Sequence, residues 1–139
     1  MGMKRVKICM DGTRSSGGMK ENFQENYVGT LEVTNGIYGI TYHEKTAEGD
    51  ICNKVELSPG KALITKDGIL KVTMEIVPGE VKEVLYSIPQ GSLSFQSKGS
   101  EVSFRETKDG LEARLHYVLG FGGGYDQKTE MNIRVVSAE

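Results

Sequence analysis

Histidine and cysteine are the side chains here best suited to metal binding or catalysis, and there are few of them. The chain has two histidines, His43 and His116, and two cysteines, Cys9 and Cys52. The cysteines lack CxxC spacing, and His43-Glu44 is not followed by the second histidine of a zinc-protease motif. Each histidine is in phase with polar residues of its segment, which predicts solvent-facing imidazoles. We therefore expect no metal site and no cofactor, and two reduced, unpaired thiols.

A glycine-rich segment is the next candidate, for phosphate binding. The letters GFGGG at positions 120–124 precede Lys128-Thr129. A phosphate loop needs glycine directly before Lys-Ser or Lys-Thr, and a helix N-terminus to receive the phosphate. Three residues separate Gly124 from Lys128, and a strand pattern follows. We predict a flexible connection, Gly120–Asp126. Since no nucleophile elbow is recognisable either, the sequence does not predict an enzyme.

The tyrosines are more informative. The chain has six, and five of them share the phase of the apolar residues in their segments. A buried phenol without a hydrogen-bond partner costs about 1–3 kcal/mol, so inward phenols indicate a polar cluster or a ligand with polar groups. Glu44 shares the phase of Tyr42. The candidate ligand-binding residues are Tyr42, Glu44, Tyr86, Tyr117, Tyr38 and Tyr27.

Alternating segments separated by turns make up nearly the whole chain. In Leu111–Leu119 and Leu70–Ile76 every second side chain is apolar, which predicts strands with one buried and one wet face. Asn35-Gly36 is typical of a tight hairpin turn, and no stretch shows a helical period. About eleven strands are predicted: Lys4–Asp11, Glu21–Val33, Ile37–Glu44, Ile51–Ser58, Lys61–Lys66, Ile69–Val77, Val81–Ile88, Ser92–Ser97, Glu101–Thr107, Leu111–Leu119 and Lys128–Val136.

The connections between these strands predict how they pair. Most are short, and short connections join antiparallel neighbours but not parallel ones. The segment Gly12–Gly18 is predicted to be a polar, mobile loop. An open sheet of so many strands would expose two edges and one apolar face, and closure removes both. The predicted fold is all-β: residues 1–139 form a single domain, an up-and-down antiparallel meander closed into a β-barrel.

Several core and turn segments are similar to those of a known family. They are Tyr27 with Gly29, Ile40–Glu44 followed by Gly49, Asp67-Gly68, Tyr86–Gly91, Tyr117–Leu119, and the alternation of Met131, Ile133 and Val135. In these segments the chain resembles the YwiB-like family of uncharacterised bacterial proteins, which adopt a lipocalin-like (calycin) β-barrel. The resemblance implies a barrel whose relatives by fold often hold small apolar molecules, and it implies no activity.

Charge and composition argue against several partners. The formal net charge is −2 and the pI about 5.8, so the chain has no electrostatic reason to bind nucleic acid or an anionic membrane. No segment approaches the ~20 apolar residues of a membrane-spanning helix. Lys7 interrupts the apolar run near the N-terminus, unlike a signal peptide. We predict a cytoplasmic protein with no nucleic-acid or membrane partner, and the sequence does not indicate its oligomeric state.

Two functional hypotheses stay open. The first is a binding module that holds a small apolar or amphipathic molecule in the barrel interior. The second is a protein-interaction or regulatory module with a filled core, acting through its surface or rim loops. Tyrosines near the barrel ends, with buried rings and wet hydroxyls, would fit the second. The two differ in whether the interior is full, and the bulky inward side chains favour a small pocket over a wide one.

Overall fold

The computed structural model describes residues 2–120 and 126–139. In these two ranges the chain forms ten strands, and none of its elements is a helix that could span a membrane. The strands are β1 (Gly2–Ser16), β2 (Met19–Thr34), β3 (Ile37–Thr46), β4 (Gly49–Ser58), β5 (Lys61–Gly68), β6 (Lys71–Ile76), β7 (Val81–Ile88), β8 (Gly91–Glu106), β9 (Gly110–Gly120) and β10 (Asp126–Ser137).

The strands close into one antiparallel up-and-down barrel, as predicted. Each strand pairs with its neighbours in sequence, and the circle is completed by β1 and β10. Their ladder runs from the Val6–Ser137 pair to the Ser15–Lys128 pair. Closure gives every described strand a partner on both sides, which removes the edges at which open sheets aggregate.

The predicted break at Gly99-Ser100 is wrong. β8 continues through it and joins the two predicted strands Ser92–Ser97 and Glu101–Thr107. A β-bulge between Gly99 and Glu101 shifts the register against β9 without ending the pairing. Because a bulge inserts an extra residue and bends the strand, its glycine resembles a turn signal in the sequence. The described residues therefore form ten strands where about eleven were predicted.

The predicted mobile loop Gly12–Gly18 is also wrong. β1 extends to Ser16, and the two-residue turn Gly17-Gly18 leads directly into β2. Both turn glycines have positive φ, 56° and 82°, which glycine adopts without a steric penalty. The polar composition of this segment reflects its position at the end of the barrel, where a strand needs no apolar face.

One end of the barrel contains a layer of fully buried apolar side chains. It is the end that carries the Asn35-Gly36 and Pro59-Gly60 turns. We call it the sealed end and define it by six inward side chains that are 0% exposed: Val6, Leu57, Ala62, Ile76, Leu111 and Val135. A side chain with no exposed surface has no room beside it for even a water molecule, so no ligand can contact these six side chains without displacing them.

At the opposite end, which carries the Gly17-Gly18 turn, inward apolar side chains stay partly exposed. Tyr86, Phe95, Leu119 and Met131 pack against the core without being fully buried. We call this the open end. These side chains point inward on paired strands, and each keeps part of its surface exposed.

Candidate ligand-binding site at the open end of the barrel

Polar side chains from the first five strands converge at the open end. Arg14, Glu25, Glu44, Asn53 and Lys66 lie on β1 to β5 in that order. Each shares the phase of the buried apolar residues in its strand, so strand alternation turns all five towards the interior. We call these five side chains the polar wall.

Three members of the polar wall form a closed hydrogen-bond triangle. Asn53 Nδ2 donates to Glu44 Oε1 at 2.8 Å, and Lys66 Nζ donates to Asn53 Oδ1 at 2.6 Å. The third side is the ion pair between Lys66 Nζ and Glu44 Oε1, at 3.5 Å. Asn53 is only 2% exposed and lies directly opposite Lys66 in the β4–β5 ladder. The buried amide therefore holds a cation and a carboxylate in fixed positions.

Two tyrosines stack beside this triangle. The ring centroids of Tyr27 and Tyr42 are 4.2 Å apart, with 25° between the ring planes. Gly29 lies opposite Tyr42 in the β2–β3 ladder, and a Cβ there would come within 2.0 Å of the Thr41 carbonyl oxygen. Only glycine fits so close an approach. The Tyr42 hydroxyl donates to Met10 Sδ at 3.6 Å.

Burial and nearby charges keep these phenols protonated. Burial, followed by the charges of Glu25 and Glu44, raises the pKa of Tyr27 to about 12. Burial is also the main cause that raises the pKa of Tyr42. Burial raises the pKa of Tyr117, and a hydrogen bond with Thr129 partly offsets it. All three side chains are therefore neutral hydrogen-bonding groups at physiological pH.

Arg14 completes the polar wall at the rim. Its guanidinium carbon lies 4.0 Å from the centroid of the Phe23 ring, and its Nη1 lies 3.9 Å from Glu21 Oε1. The side chain is 33% exposed. A guanidinium that stacks on an aromatic face loses mobility but keeps its charge, so Arg14 presents a fixed cation at the opening.

On β7 to β10 a group of inward side chains at the open end is apolar. Tyr86 and Phe95 lie side by side with ring centroids 6.0 Å apart, and Leu119 and Met131 continue the surface onto β9 and β10. Leu93, in phase with Phe95 at the rim, is 58% exposed. We call these five side chains the apolar wall. The open end thus offers hydrogen bonds and charge on one side and apolar contact on the other.

Comparison with known protein families places the chain. Residues 8–133 match the family described as a domain of unknown function (DUF1934). The chain belongs to the DUF1934 family. No curated protein matches it. The crystal structure of the ywiB protein from Bacillus subtilis is similar to it with a TM-score of 0.90 and 16% sequence identity, covering 99% of this chain and 94% of that one.

These two findings confirm the predicted YwiB-like membership and the predicted closed barrel. The lipocalin-like description fits the up-and-down barrel of this DUF1934 chain. At 16% identity the likeness to the ywiB structure shows the fold alone. The chemistry of the DUF1934 barrel has to be argued from its own residues.

The candidate residues predicted from the sequence divide between the two ends of this DUF1934 barrel. Four lie at the open end around the polar wall: Tyr27, Tyr42, Glu44 and Tyr117. Tyr86 lies on the apolar wall. Tyr38 does not join them, because it follows the Asn35-Gly36 turn at the sealed end. The centroids of the Tyr38 and Phe104 rings are 5.3 Å apart, and the Tyr38 hydroxyl donates a hydrogen bond to Glu106.

Sequence reasoning missed most of the polar wall. Arg14 fell in the segment wrongly predicted as a loop. Asn53 and Lys66 share the phase of buried neighbours, and a hairpin at Pro59-Gly60 pairs them directly. The alternation and the turn together could therefore have found both. Glu25 carried the same phase signal as Tyr27.

The remaining chemical candidates lie outside the open end. His43 is exposed, and His116 is half-buried on the outer face of β9. Cys9 and Cys52 are both unbridged. In the ranges 2–120 and 126–139, no group of His, Cys, Asp or Glu residues could hold a metal ion. Most of the glycine-rich connection, residues 121–125, lies outside the described residues.

Proposed function

We propose that this DUF1934 barrel binds a small amphipathic molecule inside its open end. The observation that carries the proposal is the two-sided interior, where a partly exposed apolar wall faces a hydrogen-bonded polar wall. Binding sites for small molecules are concave and mostly apolar, with a few fixed polar groups. Because six inward side chains at the sealed end are 0% exposed, the open end is the better place for a ligand.

The two walls indicate how the ligand would lie. Its apolar part would contact Tyr86, Phe95 and Met131, and its polar head would reach Lys66 and Glu44. The polar wall contains two cations and two carboxylates together with an amide. A head group with both donors and acceptors, zwitterionic or neutral, suits that balance better than a single net charge.

The sealed end limits the length of the ligand. Half of a strand of ten residues, at a rise of ~3.3 Å and a tilt of ~45°, spans about 12 Å along the barrel axis. A chain of roughly ten carbon atoms fills that distance, whereas a long-chain lipid would have to displace the packed residues of the sealed end. We therefore expect a small ligand.

A single tryptophan can report on the interior, because the chain has none. Leu119→Trp places an indole on the apolar wall. Val118→Trp, the control, places it on the outer face of the same strand. The probes are decylphosphocholine, decanoate and decyltrimethylammonium, each below its micelle-forming concentration. We expect decylphosphocholine to shift the emission of Leu119→Trp to shorter wavelength, saturably, and to leave Val118→Trp unchanged. Native mass spectrometry should show one bound probe per chain.

A matched pair of lysine variants tests the polar wall. Lys66→Met removes the inward ammonium and keeps most of the apolar stem. Lys54→Met makes the same change on the outer face of β4, next to Asn53. We expect Lys66→Met to weaken decylphosphocholine binding about five- to tenfold, since it removes a charge-assisted contact, and Lys54→Met to have no effect. Equal effects of the two variants, or no saturable binding of any probe, would show the proposal to be wrong.

A protein-interaction or regulatory module with a filled core is the second candidate function. The complete burial of six inward side chains at the sealed end favours it. Its rim loops and outer surface would then do the work. This candidate is preferred if none of the three probes binds to a chain that retains its β-sheet circular dichroism.

A further inference from the structure

The outside of the barrel carries a trough that the ligand proposal does not involve. Two cavities of about 510 and 500 Å³ lie on the outer face of β2, β1, β10, β9 and β8. Both are lined by Cys9 and Arg134. The two cavities adjoin at the cross-strand pair of Cys9 and Arg134. We call these two adjoining cavities the outer trough.

Cross-strand pairing sets the outer trough in rows. In one row, Cys9 lies between Asn26 on β2 and Arg134 on β10. In the next row, Lys7 lies between Val28 and Val136. Val28 is 56% exposed and Val136 is 36% exposed. A cation flanked on both sides by exposed valines is a mixed apolar and basic surface.

The charges of the outer trough are not balanced. It is lined by four cations, Lys7, Arg105, Arg114 and Arg134, and by two carboxylates, Asp11 and Glu112. Both carboxylates are already engaged, because Arg105 Nη2 lies 2.5 Å from Glu112 Oε1 and Asn132 Nδ2 donates to Asp11 Oδ1 at 3.3 Å. The surplus is basic on a chain whose net charge is −2.

Two of these cations lack an ion pair. Glu112 lies opposite Arg134 in the β9–β10 ladder but is taken by Arg105 on its other side. Among the described residues, no carboxylate oxygen lies within 4.0 Å of the charged groups of Lys7 or Arg134. These two side chains are free to pair with an external acid.

We propose that the outer trough binds an acidic segment of a partner protein. Two carboxylates of the segment pair with Lys7 and Arg134, and an apolar side chain rests on Val28 and Val136. We choose an acidic partner because of charge complementarity: the trough presents unpaired cations beside exposed apolar side chains. The inference is independent of the ligand site, which lies on the other face of the same strands.

The shape, charge and strand pairing of the outer trough argue against other ligands. The trough is open along one side, whereas small-molecule sites enclose most of their ligand. A symmetric dimer through this surface would bring together two copies of the same net basic patch, and like charges repel. Nucleic acid would make no use of the two valines. A strand-addition complex is excluded because β1 is already paired on both sides.

The spacing of the two cations predicts the pattern of the segment. Lys7 pairs with Val136, which lies two residues from Arg134, so the two cations are diagonal neighbours about 7–8 Å apart. Alternate side chains of an extended chain project to one side about 6.8 Å apart. An acid-x-acid-x-apolar sequence in extended conformation therefore presents all three groups to the trough.

Defined peptides test this pattern. The first probe is a fluorescein-labelled octapeptide, GESESLSG. Its controls are GKSKSLSG, with the charge reversed, and GESESSSG, without the apolar residue. We expect fluorescence anisotropy to show saturable binding of the first peptide that weakens with salt, and no binding of the charge-reversed peptide. The peptide without leucine should bind more weakly than the first.

Charge variants locate the site. Lys7→Gln/Arg134→Gln should weaken binding of GESESLSG about five- to tenfold, since it removes two partly exposed ion pairs with the peptide. Lys45→Gln/Lys98→Gln removes two exposed lysines outside the trough and should leave binding unchanged. Equal loss in the two double variants, or equal binding of the charge-reversed peptide, overturns the proposal.

Alkylation of the two cysteines tests where the peptide binds without requiring its affinity to be measured. Cys9 lies in the outer trough, while Cys52 lies on the outer face of β4, three strands away around the barrel. Saturating GESESLSG should slow alkylation of Cys9 by iodoacetamide and leave Cys52 unaffected. Unchanged alkylation of Cys9 overturns the proposal. So does competition by oligouridylate, or a dimer that Lys7→Gln/Arg134→Gln dissociates, because each assigns the trough to another occupant.

Discussion

The two ends of the barrel use the same strands and the same alternation, yet their inward positions carry different chemistry. At the sealed end six inward apolar side chains are fully buried, although Tyr38 and Phe104 stay partly exposed, and at the open end tyrosines, charged side chains and half-exposed aliphatics occupy many inward positions. β4 shows the change within one strand: Leu57 is 0% exposed, while Asn53 binds Lys66 and Glu44. Inward side chains are thus stabilised mainly by apolar packing at the sealed end and in part by hydrogen bonds at the open end.

Because the two ends differ in packing, the same substitution, leucine to alanine, should change the free energy of unfolding very differently at each end. This is the largest effect that we expect. Leu57→Ala should lower the free energy of unfolding by about 2–5 kcal/mol, because it leaves a cavity in a packed core. Leu93→Ala, at the rim of the apolar wall, should change it by less than about 0.5 kcal/mol, because that side chain is largely exposed. Urea unfolding measures both. Similar losses would mean that the open end is packed too.

The next effect concerns the hydrogen-bond triangle. Asn53→Ala should lower the free energy of unfolding by about 1–3 kcal/mol, because it leaves a lysine and a carboxylate without their buried partner. Asn132→Ala is the control: it removes an amide on the outer face that is bonded only to Asp11. Equal losses in the two variants would contradict a special role of the triangle. Combining Asn53→Ala with Glu44→Gln should give less than the sum of the single effects.

Alkaline pH should weaken the open end of the barrel. The folded-state pKa values of Tyr27, Tyr42 and Tyr117 are raised above the ordinary value of 10.0, so the unfolded chain releases these protons first. Their contribution is complete below pH 10 and is lost as the pH rises towards 12 and beyond.

Absorbance at 295 nm during a pH titration, with circular dichroism in parallel, measures this effect. The three open-end phenols should ionise only as the sheet is lost. Tyr42→Phe should make the stability less sensitive to pH above 10. If all tyrosines ionise reversibly near pH 10 in the folded chain, the open end is wetter than its burial indicates.

The smallest effect is expected for the ion pair of the polar wall. Lys66→Met should lower the free energy of unfolding by about 0.5–1.5 kcal/mol, because it removes a one-third exposed ion pair with Glu44 and the hydrogen bond that Lys66 Nζ donates to Asn53 Oδ1. Urea unfolding of Lys66→Met and Asn53→Ala under the same conditions checks that the lysine variant loses less stability. A loss as large as that of Asn53→Ala would assign the lysine a structural role and weaken the case that it is kept for a ligand.

The fold was predictable because its signals are local. Alternation identified the faces of the strands, and turn pairs such as Asn35-Gly36, with φ of 52° and 79°, identified hairpins. The errors arose where glycine does not mark a turn. Gly99 belongs to a bulge, and Gly12 lies inside β1, where a Cβ would come within 1.8 Å of the Glu130 carbonyl oxygen. A close approach between distant strands leaves no local pattern.

The candidate site was predictable only in part. Phase alone placed Tyr42 and Tyr117 inside the barrel, but it could not distinguish the two ends, so Tyr38 was grouped with residues at the opposite end. The triangle depends on which residues of β4 and β5 lie opposite each other. That register is obtained by counting residues from the Pro59-Gly60 turn along both strands. The outer trough depends on the pairing of β1 with β10, and no turn joins those two strands.

The same pairing ties folding to the completion of the chain. During synthesis β1 emerges first and has β2 as a partner, but its other edge stays unpaired until β10 has been made. Contacts between the two ends of a chain are slow to form, because a long loop has to close before they contribute. A nascent chain would therefore carry an exposed strand edge through most of its synthesis, which is when β-rich chains aggregate. The need of this barrel for chaperones should therefore depend on how quickly β10 pairs with β1.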